Sequence, residues 1–133
     1  MANKSKKILS EISAGELLDK ISILEIKIEK ITDKENLEEI KKEYNILQET
    51  KHSCIEFNDN INKLFTELKK INLSLWEIED KIRVCEKESK FEKDFVELAR
   101  SVYFNNDKRA KIKSEINKLL GSNIKEIKQY ASY

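Results

Sequence analysis

NINKLFTELKKINLSLWEIEDKIRVCEKE, running from Asn60 to Glu88, is the stretch that decides the fold. Ile61, Leu64, Leu68, Ile71, Leu75, Ile78, Ile82 and Cys85 recur three and four residues apart without a fault. That spacing holds one apolar seam over roughly seven helical turns. Leu73, Trp76 and Val84 lie off the seam among Glu77, Asp80 and Arg83, so the helix carries apolar side chains on a second face. A helix with two apolar faces is expected at the centre of a bundle.

Working outward, Ser13-Ala14-Gly15-Glu16 has capping-box spacing and starts a first helix. Leu17, Ile21, Leu24, Ile28 and Ile31 form its seam, with Ile23 and Ile26 to the side. Thr32 to Asn36 interrupts the register and Asp33 can cap a second helix built on Leu37, Ile40, Tyr44 and Leu47, ending between Cys54 and Asp59. So short a connection favours an antiparallel helical hairpin. After a break at Ser89 or Lys90, Phe91, Phe95, Leu98, Ala99 and Val102 mark a fourth helix. Asn105-Asn106-Asp107 reads as turn and cap, and Ile112, Ile116, Leu119 and Leu120 mark a fifth helix that stops at Gly121. The expectation is an all-α single domain over residues 1–133, a compact bundle of about five helices around a central helix at about 60–88. Residues 1–12 and 122–133 are expected as peripheral tails.

Composition agrees with this class. The chain of 133 residues has no proline, two glycines, 38% charged and 39% hydrophobic residues. Regularly spaced Ile and Leu argue against disorder. The 26 basic and 25 acidic side chains leave a net charge of +1, which provides no global field toward nucleic acid or anionic lipid. The local imbalance is an acid-rich stretch at 33–59 and a base-rich one at 107–128. Pairing within or between chains explains it more simply than a nucleic-acid footprint, because no aromatic platform interleaves the basic run. Ile8 and Leu9 behind three lysines are too short for a signal-peptide core, and no apolar run is long enough for membrane insertion. Cys54 and Cys85 form no C-x-x-C pair and have only His52 nearby, so the expected location is a reducing cytoplasm.

Two polar groupings are candidate sites. Glu16 with Asp19, beside Lys20, and Glu77 with Asp80 each place two carboxylates on one helix face. Two such pairs on facing helices are one way to hold Mg²⁺ or Mn²⁺ against a phosphorylated substrate, as paired acids do in all-α nucleotide pyrophosphohydrolases. E-x-x-D is also ordinary in charged helices, where capping and pairs such as Glu79 with Arg83 explain it. The second grouping is Arg100, Tyr103, Asn106, Arg109, Lys113 and Asn117, which combines anion-binding forks with amides near an expected helix N-terminus. The competing account is that these cations satisfy acids of the first and third helices. No nucleophilic relay, Gly-rich phosphate loop or dinucleotide fingerprint is present.

Three strings carry a family resemblance: S-x-G-E-L-[LI]-D-K-[IL]-x-I-L-E-I-K at Ser13 to Lys27, L-W-E-I-E-D-x-I-R at Leu75 to Arg83, and F-V-E-L-A-R-x-V-Y-x-x-N-D-x-R at Phe95 to Arg109. In them the chain resembles an uncharacterised bacterial family known only as a domain of unknown function, departing at Ala14, where proline is expected. The resemblance carries over no activity. It does gather Glu16, Asp19, Glu25, Glu77, Glu79, Asp80, Arg83, Arg100, Tyr103, Asn106, Asp107 and Arg109 into three segments that would form one charged network if they converge, and Trp76, beside Glu77 and Asp80, joins the candidate site. The leading functional expectation is a non-catalytic helical module that self-associates or binds a protein partner. The alternative is a divalent-metal-dependent binder or hydrolase of an anionic small molecule, with Glu16, Asp19, Glu77 and Asp80 on the metal and Arg100, Arg109 and Lys113 on the anion.

Overall fold

The computed structural model describes residues 3–133 and contains four helices: α1 (Ala14–Lys30), α2 (Lys34–Cys54), α3 (Asp59–Lys87) and α4 (Lys93–Leu119). Local chemistry sets most of the ends. Ser13 accepts from the Glu16 amide and starts α1, Asp33 accepts from the Asn36 amide and starts α2, and Asn58 accepts from the Ile61 amide and starts α3. Ser89 adopts φ 54° at the turn after α3, and Gly121 adopts φ 59° after α4. There the Ser122 amide donates to the Asn117 carbonyl at 2.9 Å and the Gly121 amide to the Lys118 carbonyl at 3.3 Å, which closes the helix in a Schellman arrangement.

The expected fourth and fifth helices are one. Asn105, Asn106 and Asp107 lie inside α4 instead of forming a turn. Asn105 Nδ2 donates to the Ser101 carbonyl one turn back at 2.8 Å, and Asn106 Oδ1 accepts from Arg109 one turn ahead. These amides therefore find partners within the helix. Their propensity cost, about 0.7 kcal/mol each, is less than what burying Ile112 and Ile116 contributes.

The hub is α1, which packs against α2, α3 and α4, whereas α3 meets only α1 and α4 among the helices. The long helix is thus not the centre that its two apolar faces imply. Leu17, Leu18, Ile21, Ile61, Leu64, Leu68, Ile112 and Ile116 form the core, edged by Tyr44, Leu47, Phe57 and Phe65. Length explains the arrangement. At 17 residues α1 extends about 25 Å, while the 29 and 27 residues of α3 and α4 extend about 40 Å, so α1 covers only part of that pair. All buried residues of α3 lie between Ile61 and Asn72, and all of α4 between Ile112 and Asn117. Beyond them the two helices continue as an arm, residues 73–111, in which no residue is buried.

Candidate functional site

The densest polar chemistry sits where α1, α3 and α4 meet. Asp19 is 1% exposed in the first half of α1, directly after the core residue Leu18. A lone carboxylate there would be prohibitively costly, and it is not alone. Arg109 engages it as a two-pronged fork, Nε to Oδ1 at 2.9 Å and Nη2 to Oδ2. Asn72 Nδ2 donates to Oδ1 at 2.9 Å and also to Ser22 Oγ at 2.8 Å, while Ser22 donates to the Asp19 carbonyl. Burial pushes the Asp19 carboxyl up, but the hydrogen bonds from Arg109 and Asn72 and the charges of Arg109 and Lys113 outweigh it, holding it below the ordinary carboxylate value.

One turn along α4, the buried Lys113 ammonium donates to Glu16 at 2.9 Å and to Glu126 at 2.8 Å, with Asp19 at 3.7 Å. Burial draws the Lys113 ammonium down, and its carboxylate partners more than reverse that, so it stays charged. Another turn on, buried Asn117 accepts from the Gly15 amide at 2.7 Å, and Ser122 accepts from the Ala14 amide at 3.1 Å. With Ser13 on the Glu16 amide, the first-turn donors of α1 are occupied. Glu16, which the capping-box spacing sends back to Ser13, pairs with Lys113 instead. Gly15 permits this seam: a Cβ there would lie 2.6 Å from the Lys113 carbonyl oxygen and 2.9 Å from Asn117 Oδ1.

Of the expected residues, Glu16, Asp19, Asn106, Arg109, Lys113 and Asn117 come together. Glu25 belongs to a separate cluster, 3.1 Å from Lys69 and accepting from Tyr44 at 3.2 Å. Trp76, Asp80 and Arg83 line an open cleft of about 530 Å³ beside Arg109 and Asn72, with Arg83 paired to Glu79. Lys20 and Glu77 are exposed away from the network. Arg100 lies over the Phe104 ring, 5.8 Å from its centroid. Tyr103 stacks with Phe104 and with Tyr133, whose hydroxyl donates to Asp107. The 122–133 segment therefore lies along α4, tied at Glu126 and Tyr133. Sequence reasoning missed Ser22, Asn72 and Glu126. Asn72 had a usable signal, since it is an amide set between Ile71 and Leu73 in the run that otherwise reads as core.

The four acids expected to hold a metal do not fit one. Among the described residues no three His, Cys, Asp or Glu side chains converge with metal-binding geometry. Glu16 and Asp19 are held by Lys113 and Arg109, and Glu77 and Asp80 are exposed on the arm. Of the three cations expected to hold the anion, Arg109 and Lys113 are equally committed, facing the three carboxylates of Glu16, Asp19 and Glu126. The arrangement is chemically a lock between the start of α1 and the second half of α4.

These features define an all-α protein of four helices with an interhelical ion-pair lock and a projecting two-helix arm. The chain belongs to the family of unknown function DUF6165, whose model matches residues 8–133. No curated protein and no solved structure matches it. Among the described residues no helix is long and apolar enough to cross a membrane.

Proposed function

We propose that the protein is a non-catalytic helical module that self-associates through its α3–α4 arm. The observation that carries this reading is the fate of the apolar seam. Ile61, Leu64 and Leu68 are buried by α1, but Ile71, Leu75, Ile78, Ile82 and Cys85 of the same seam remain half-buried. Val84 and Val96 on the arm are 52% and 50% exposed. A second copy laid against the arm would remove that surface from water, at about 25 cal/mol per Å² of apolar area.

The alternative, a metal-dependent site for a phosphorylated small molecule, loses its reagents to the lock. Arg109 and Lys113 are paired within the chain, and among the described residues no three potential metal-ligand side chains converge. Sedimentation equilibrium tests the association reading. The wild-type chain is expected at twice its monomer mass, and V84E/L98E at the monomer mass with an unchanged circular dichroism spectrum. A monomeric wild type, or a variant that associates as tightly, overturns it.

A further inference from the structure

The arm offers a specific cleft. Val84, Cys85 and Leu98 form an apolar floor of a groove of about 580 Å³ between α3 and α4, with Asp80, Asp94 and Glu97 on its rim against Lys81. Among the described residues Asp80 and Asp94 take part in no ion pair, and Glu97 reaches only Lys93 at 3.9 Å. The groove is apolar at its base and acidic at its edge.

The segment before α1 has the complementary chemistry. Lys4, Lys6 and Lys7 precede Ile8 and Leu9, which are 80% and 82% exposed. This stretch has no regular secondary structure and makes no backbone hydrogen bond to the rest of the described chain. Two large aliphatic side chains next to three ammonium groups that take part in no ion pair among the described residues match an apolar floor with an acidic rim. The groove of the same molecule is out of reach. Ile8 is five residues from Ser13, a span of at most about 18 Å. Gly15 packs at the level of Lys113, and Leu98 lies 15 residues back along α4, about 22 Å away.

We infer that Lys4–Leu9 of one copy docks in the α3–α4 groove of a second copy, with Ile8 and Leu9 on Val84 and Leu98 and the lysines facing Asp80, Asp94 and Glu97. This rests on the self-association reading and names the segment that fills the arm. Two such contacts, exchanged reciprocally, close a dimer without leaving a free groove.

Charge exchange on the full-length chain tests it. K6E/K7E and D94K/E97K alter only exposed side chains, and each is expected to weaken dimerisation at least tenfold by sedimentation. Mixed in equal amounts, the two are expected to return to the dimer mass, because the basic segment of one meets the acidic groove of the other and the reversed pair also matches. I8D/L9D is expected to weaken dimerisation to a similar degree. If V84E/L98E dissociates while K6E/K7E and I8D/L9D dimerise like wild type, the arm pairs with another surface and the segment assignment falls alone. A wild type that stays monomeric overturns both readings. Failure of the mixture to recover overturns the assignment.

Discussion

Asp19 illustrates how one residue can be both a burden and an organiser. Its carboxylate occupies a core position, and Arg109, Asn72 and Lys113 together stabilise the charged form. Because its folded pKa lies below the ordinary value of 3.8, its contribution to stability is fully present above that value and is lost as pH falls through the lower folded value. Asp19→Asn keeps the shape but leaves Arg109 without its counter-charge. Breaking a fully buried pair costs about 3–5 kcal/mol, and with a quarter of the Arg109 side chain exposed the expected loss is about 2–3 kcal/mol near neutrality. Urea unfolding across pH 2–7 checks this: the variant is expected to be less stable at pH 7, with the gap to wild type narrowing toward pH 2. A pH-independent gap would assign the loss to packing. The lock orients helices, and a well-packed apolar replacement of the whole network is not expected to be less stable.

At the scale of elements, the contact between α1 and α4 depends on a residue without a side chain. Gly15 sits inside the first turn of α1, where alanine would raise helix propensity by about 1 kcal/mol if nothing were nearby. The Lys113 backbone is nearby, and a Cβ 2.6 Å from its carbonyl oxygen forces the helices apart. Gly15→Ala is therefore expected to destabilise by about 1–3 kcal/mol, the range for overpacking, and to lower the thermal midpoint. A neutral or stabilising effect in a calorimetric scan would mean that α1 and α4 do not approach this closely. The same scale explains the continuity of α4. Asn105 to Asp107 have the composition of a turn, yet each turn of that helix must hold its register to bring Arg109, Lys113 and Asn117 to α1. Helix propensity, a few tenths of a kcal/mol per residue, is small against that set of contacts.

For the whole molecule, stability is distributed along the α3–α4 pair unevenly. Residues 61–72 and 112–117 are tied to α1, whereas the arm from 73 to 111 has only half-buried or exposed side chains. Amide hydrogen exchange is expected to follow this division. At concentrations where the chain is monomeric, amides of 75–104 should exchange ahead of those in 17–26 and 61–72. Raising the concentration should protect 80–101 first, because that interval holds the groove. Uniform protection along α3 at every concentration would mean that the arm needs no second copy. Whole-molecule geometry also separates the two acid pairs that share one sequence spacing. Glu16 and Asp19 fall on the hub and meet cations, while Glu77 and Asp80 fall on the arm and pair with none among the described residues.

The amino-acid sequence by itself determined what is local. The helix starts at Ser13 and Asp33 and the stop at Gly121 follow from bonds spanning three to five residues, and the three-and-four spacing from Ile61 to Cys85 marks a helix in any surroundings. Residue type also marked Glu16, Asp19, Arg109 and Lys113 as polar groups set too close to apolar seams to be only solvated. Only the tertiary structure decided which of them meet. Asp19 and Arg109 are 90 residues apart in sequence, and no periodicity contains that distance. Likewise, α1 became the hub because its length matches only half of α3. An amphipathic pattern reports that a face will be buried, but the identity of its cover depends on how far each neighbouring helix extends.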